Sequence, residues 1–203
     1  MTVERGATWG RPGSLPDDGV VVRSDAEARA VVERARRAGA PIPVLGLAGG
    51  DLCRTVGGTG DEGRLRSAEA VLLPVDLGAV LVDGRLHWFV AHLVARSSWW
   101  RGRIIAAMNA EFHGTWDVAP RSHPNDGRLD VLDVRLGLTD RWKAWRRLPS
   151  GTHVPHPDID VRRTGAVQLD LRPPLSVWLD GVPVGPARTL SIRVEPDALT
   201  VVV

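Results

Sequence analysis

Five glycines surround one acid, one base and one hydroxyl in the stretch Gly46-Leu47-Ala48-Gly49-Gly50-Asp51-Leu52-Cys53-Arg54-Thr55-Val56-Gly57-Gly58. Glycine lets a backbone turn sharply and approach a ligand or another strand closely. A loop of this kind grips a phosphate or simply reverses the chain. Gly49, Gly50, Asp51 and Arg54 are the candidates for the first role. In the second role Asp51 caps a short helix and Arg54 pairs with it. Asn125-Asp126-Gly127 is a second polar cluster and reads as a turn before a strand. The six histidines (His87, His92, His113, His123, His153 and His156) follow no compact zinc spacing, so surface or core roles are expected of them. The single cysteine, Cys53, sits beside Arg54 but has no partnered His motif, which predicts a buried structural thiol.

Two Trp-Arg clusters add a surface of mixed character. One holds Arg96, Trp99, Trp100, Arg101 and Arg103, the other Arg141, Trp142, Lys143, Trp145, Arg146 and Arg147. Such clusters suit a protein contact or packed edge first, a lipid surface second. A net charge of only +2 gives no domain-wide basic excess, which argues against nucleic acid. One cysteine allows no intramolecular disulfide framework and fits a reducing cytosol. No apolar run reaches the roughly 18 residues of a spanning helix, and the first 18 residues lack the apolar core of a signal peptide. A cytoplasmic protein, with membrane-peripheral contact as a variant, is the expectation.

The elements that must position these residues fall into three parts. Residues 1–19 read as an irregular leader, since Gly and Pro recur there. Residues 20–69 read as a truncated α/β unit: a short strand at Val20-Val21-Val22, a helix from Ser24 to about Ala38, and a strand from Ile42 to Leu47. Ser24 with Glu27 makes a capping box, Gly39 a stop, and Ala30, Val31 and Ala35 the expected buried face. Pro43 predicts an edge strand or one that starts late. Residues 70–203 read as a β-sandwich. A hairpin is expected across Asp83-Gly84, between Val80-Leu81-Val82 and a strand from Arg85 to Val94. Further strands are expected at Ile104–Phe112, Leu129–Leu136, Val167–Leu171, Val177–Leu179, Val182–Val184, Leu190–Val194 and Leu199–Val203. One helix is expected at about Thr139 to Leu148. The fold class is α+β and mostly β.

Asp51-Leu52-Cys53-Arg54-Thr55-Val56-Gly57 resembles the second glycine motif of bacterial diacylglycerol kinases and related lipid kinases, roughly GTGNDLARTLG. Further matches come in the family's order. They are Val75-Asp76-Leu77-Gly78, Met108-Asn109, Ala119-Pro120, Pro124-Asn125-Asp126-Gly127-Arg128-Leu129-Asp130-Val131, Gly151-Thr152-His153, and Trp178-Leu179-Asp180-Gly181. The resemblance covers roughly residues 42–203. It implies a β-sandwich like the C-terminal domain of diacylglycerol and NAD kinases, with a remnant of a nucleotide domain before it. It also implies transfer of the γ-phosphoryl group of ATP to a lipid hydroxyl with Mg²⁺. A structural Mg²⁺ would fall to the Asp126 carboxylate and the carbonyls of His123 and Arg128, beside the plain-turn reading of the same segment.

The departures from the family are specific. No GGDGT phosphate loop precedes residue 40. Leu47, Ala48 and Gly50 stand where the family has Gly, Thr and Asn. Val182 stands where the family has its proton-accepting Glu. Asp180, Glu111 and Asp130 are conceivable substitute bases, and none is singled out. The expected function is a diacylglycerol kinase-like protein without catalysis, binding a lipid headgroup or a kinase partner. In that reading Mg²⁺ stays open and ATP is disfavoured. The alternative is an ATP-dependent lipid kinase whose nucleotide domain comes from a partner protein.

Overall fold

The computed structural model describes residues 9–203. Residues 1–8 of the expected leader lie outside the described residues. The rest of that leader is partly ordered: β1 (Arg11–Pro12) pairs with a later strand, and Leu15 is buried.

The N-terminal unit forms much as its local signals dictate. β2 (Val20–Val22) leads into α1 (Asp25–Ala38), where the Ser24 hydroxyl accepts the Glu27 N–H and the Glu27 carboxylate accepts the Arg23 N–H. Gly39 ends the helix in the left-handed region at φ 63°. The buried face differs from the expected one. Ala28, Arg29, Val32 and Ala35 point inward, while Ala30 is exposed and Val31 only half-buried. A register that includes Arg29 gains buried hydrogen bonds that small apolar side chains cannot make (below). The next strand, β3 (Leu45–Leu47), starts three residues later than the sequence run, beyond Pro43. It lies parallel between β2 and the C-terminal end of β13. A single helical turn, α2 (Asp51–Thr55), follows.

The remaining chain is mostly strand: β4 (Val71–Val82), β5 (Arg85–Phe89), β6 (His92–Arg96), β7 (Ile104–Met108), β8 (Phe112–His113), β9 (Trp116–Asp117), β10 (Leu129–Val134), β11 (Ile159–Thr164), β12 (Ala166–Leu179) and β13 (Val182–Val202). The helix between β10 and β11 is α3 (Leu138–Arg147). The main sheet runs β1-β4-β13-β12-β6-β7-β10-β11, with β5 on β4 and the β3-β2 pair on β13. β8 and β9 pair separately.

Several expected strands are joined or divided. The segments at 167–171 and 177–179 are one strand, and so are 182–184, 190–194 and 199–203. Their joints are irregularities at Asp170/Leu175 and Glu195/Leu199. The expected strand from Arg85 to Val94 is instead two, because Val90 and Ala91 leave the sheet to meet Asp180. The long strands bend around a core that includes Phe89, Leu93, Ile105, Leu171 and Leu190, giving a sandwich-like arrangement. A second core joins α1, β3 and α2 to β4 and β13 through Val32, Leu45, Leu52, Leu77 and Val201. A third lies under α3, with Met108, Leu132 and Leu136. Among the described residues no helix is long and apolar enough to cross a membrane.

Candidate functional site

The glycine-rich loop grips a carboxylate of the protein itself. Gly50 takes φ 96°, and a side chain there would collide with Asp25, whose Oδ1 lies 2.6 Å from the position of a Cβ. The close approach brings Asp25 to the start of α2. Its Oδ2 accepts the Asp51 N–H at 2.6 Å and its Oδ1 the Leu52 N–H at 3.1 Å. These are the N–H groups that a phosphate would need. A buried carboxylate already occupies these two N–H groups. Asp51 is therefore neither a helix cap nor the ion partner of Arg54. The Arg54 guanidinium lies over the Phe112 ring at 3.7 Å and donates to the Gly114 carbonyl at 3.0 Å.

Asp51 turns instead toward two histidines. Its Oδ2 lies 3.0 Å from His92 Nε2 and 3.8 Å from His113 Nδ1, and both its oxygens approach the Gly114 N–H at 2.9 and 3.0 Å. Burial works to raise the Asp51 pKa. The hydrogen bonds from His113, His92 and Gly114 outweigh it and hold the carboxyl far below its usual range. For His92, burial opposes the charged form, and Asp51 with the Asp180 charge overcomes it, so its pKa is raised. The two imidazole rings lie 4.3 Å apart, centroid to centroid.

His92 is fixed from behind by the Asp180-Gly181 turn. The Asp180 carboxylate accepts the N–H groups of Val90, Ala91 and His92 at 2.8, 2.9 and 3.0 Å, and its own N–H donates to the His92 carbonyl at 2.9 Å. The next residue after the turn is Val182, an exposed apolar side chain at 38%. Two of the three conceivable substitute bases are otherwise engaged. Asp180 is committed to the backbone, and Asp130 is paired with Arg163 on another face. The Glu111 N–H donates to the Thr55 hydroxyl, which in turn donates to the Asp51 carbonyl.

The Trp-Arg clusters close over an apolar cavity beside the two histidines. Its volume is about 190 Å³. Met108 and Leu132 line its floor, Trp99 and Trp100 come from the loop after β6, and Trp145 comes from α3. Arg141, buried, pins the loop to the helix by donating to the carbonyls of Leu136 and Trp99 at 2.9 Å each, and to that of Gly102. Arg96 is held between Trp99 and Trp178, 4.2 Å from each ring. His153 adds one buried imidazole to the lining, and burial lowers its pKa. Trp100 and Trp145, which line the cavity, are about half exposed, as is Trp142 on α3.

The segment expected to hold Mg²⁺ is built differently. Asp126 Oδ1 accepts the Arg128 N–H at 3.0 Å, and Oδ2 meets the Arg163 guanidinium. A cation beside that carboxylate would face a fixed positive charge. His123 Nδ1 accepts the Asn125 N–H, and its ring packs on Trp9. The Asp126 carboxylate thus serves the turn and the pair with Arg163. The buried anchor of the turn is Asp76, which accepts the N–H groups of Gly127 at 2.7 Å and Asp197 at 3.0 Å.

The convergence of Asp51, His92 and His113 is absent from the sequence expectations. The three are spread over 63 positions, and no local spacing announces them. Asp51 follows β3 through the glycine loop, His92 opens β6 and His113 closes β8, so the fold alone brings them together.

Solved structures share this fold. A "putative diacylglycerol kinase" from Bacillus anthracis str. Sterne aligns with TM-score 0.68 at 15% identity, over 91% of this chain and 77% of that one. A second structure of the same description gives 0.65 at 15% identity, with the same coverage of both chains. A structure described as a diacylglycerol kinase from that organism gives 0.59 at 16%, over 91% and 75%. At such identities the likeness concerns the fold. No curated protein matches the chain. Residues 77–203, more than half of the chain, match the YegS C-terminal NAD kinase beta sandwich-like domain, and the chain belongs to that family.

Proposed function

We propose that this diacylglycerol kinase-like protein binds the apolar chain of a lipid and does not itself transfer phosphate. The observation that carries the reading is the apolar cavity under Trp99, Trp100 and Trp145, with half-exposed tryptophans at its rim. Each methylene moved from water into such a cavity contributes about 0.8 kcal/mol. About ten together sum to the roughly 8 kcal/mol of a micromolar complex, provided that ordering costs stay low. A Trp-lined rim pinned by Arg141 keeps those costs low, because the walls are ordered before the lipid arrives. His153, with its lowered pKa, is neutral at pH 7 and can meet a hydroxyl or ester oxygen. The similar folds described as diacylglycerol kinases support a glycerolipid as the class.

Against phosphoryl transfer stand the Asp25 carboxylate at the start of α2 and the apolar Val182 beside the Asp180 turn. The first occupies the N–H groups at the start of α2, and the second cannot take the proton of an attacking hydroxyl. The test is a titration with dioctanoylglycerol, followed by tryptophan fluorescence and thermal melting. Lipid is expected to raise the Tm by mass action and to perturb the fluorescence, and Trp145→Ala to weaken both at least tenfold in lipid concentration. Millimolar ATP with Mg²⁺ is expected to leave the Tm unchanged. An unchanged Tm with lipid overturns the reading, and phosphate transfer to diacylglycerol overturns its non-catalytic part.

A further inference from the structure

Asp51, His92 and His113 have the composition of a transition-metal site. One carboxylate and two imidazoles offer three ligand atoms, all within 4.8 Å of one another. Ligand atoms bound to zinc at about 2.0–2.2 Å in a tetrahedron stand about 3.3–3.6 Å apart. The Asp51 Oδ2 separations from His92 Nε2 and His113 Nδ1, 3.0 and 3.8 Å, bracket that span. Small side-chain movements would bring all three to one ion.

The surroundings meet the other requirements of such a site. The carboxylate is oriented by the Gly114 N–H, and the His92 backbone is clamped on both sides by Asp180. Supporting contacts of this kind fix ligands and raise affinity. His92 and His113 both line a second cavity of about 260 Å³, together with Arg96 and Trp178. A fourth coordination position facing that cavity stays accessible to water or to an anionic oxygen, with the Arg96 guanidinium at hand.

We infer that Asp51, His92 and His113 form a three-ligand site for a zinc-type divalent ion, with an open fourth position. Two imidazoles select Zn²⁺ or Co²⁺ over Mg²⁺, which takes oxygen ligands and keeps its waters. The site shares His113 with the lining of the Trp-roofed cavity, but its readout is the binding of a metal ion and needs no lipid.

The experiment is a calorimetric titration of the full chain, stripped with EDTA, with ZnCl₂ at pH 7.5. One equivalent is expected to bind with a Kd of about 1 µM or tighter and to raise the Tm. Co²⁺ is expected to give the visible absorption of a four- or five-coordinate site. His113 is partly exposed, so His113→Ala tests the site without disturbing the core. It is expected to weaken Zn²⁺ at least tenfold and to abolish the Co²⁺ spectrum, with the far-ultraviolet circular dichroism of the metal-free protein unchanged. The other metal-like trio, Asp140, His156 and Asp158, serves as the control: His156→Ala is expected to change nothing. No saturable binding overturns the inference. So does affinity retained within tenfold in His113→Ala, or displacement of Zn²⁺ by millimolar Mg²⁺.

Discussion

Asp76 and Asp180 do similar structural work with carboxylates that sequence motifs would assign to chemistry. Each is buried and each accepts backbone N–H groups from a segment that leaves the sheet. For Asp76 the consequence can be measured. Burial is the largest influence on it; the Gly127 N–H opposes burial, and the Asp126 charge reinforces it. The result is a pKa raised from 3.8 to about 6. The folded protein therefore holds this proton more tightly than the unfolded chain does. Its contribution to stability is complete below about pH 4 and is lost as pH rises through 6, by about 3 kcal/mol at most. In Asp76→Asn the titration is gone, although a constant offset from the altered hydrogen bonds remains. Unfolding free energies from urea curves between pH 4 and pH 7.5 should then diverge, with the variant gaining on the wild type by up to about 3 kcal/mol. A difference that stays flat across that range would exclude the raised pKa.

At the scale of elements, the fold was legible where local physics decides and hidden where distant partners do. The capping box at Ser24 and Glu27, the Gly39 stop and the Asp-Gly turns act within a few residues, and they are where the sequence puts them. The joins inside β12 and β13 contain Pro173-Pro174 and Pro196-Asp197, which read as chain breaks. They are irregularities because pairing on both sides of β13 carries the strand through. β11 was missed because Asp160, Arg162 and Arg163 face water at the sheet edge and no apolar alternation marks it. The site was hidden for the same kind of reason: α2, β6 and β8 meet only through tertiary contacts. One element-level motif now has a physical cause. Gly78 sits opposite Phe89 in the β4-β5 register, and a Cβ there would lie 2.2 Å from the ring. Gly78→Ala forces the fully buried Phe89 out of its place in the core. It should cost roughly 1–3 kcal/mol of stability in urea unfolding, without change in the slope. Phe89→Leu in the same background should recover part of the loss, since a smaller side chain yields the space.

Across the whole molecule, β13 unites parts that the sequence separates. Its length pairs with β4 and β12, and its final residues pair with β3 of the N-terminal unit. The chain's last residue closes two backbone hydrogen bonds with Val71, at 3.0 and 3.1 Å. α1 is bound to the sandwich as well. Buried Arg29 donates to the carbonyls of Trp88 at 3.1 Å and Leu179 at 3.3 Å while pairing with Glu33, and Arg36 meets Glu195 at 2.6 Å. Elements that share one sheet and a buried arginine should unfold together. The two halves carry different probes. α1 and α2 of the N-terminal unit hold 19 of the 29 described α-helical residues and so most of the signal near 222 nm, whereas seven of the eight tryptophans lie beyond residue 70. Circular dichroism and tryptophan fluorescence should therefore give coincident urea transitions. Arg29→Ala removes the shared contact and leaves two buried carbonyls without that donor, so both transitions should move together by about 3 kcal/mol. If the helical signal shifts alone, or is lost at a lower urea concentration in the wild type, the N-terminal unit is an independent body and β13 is not the common support of the fold.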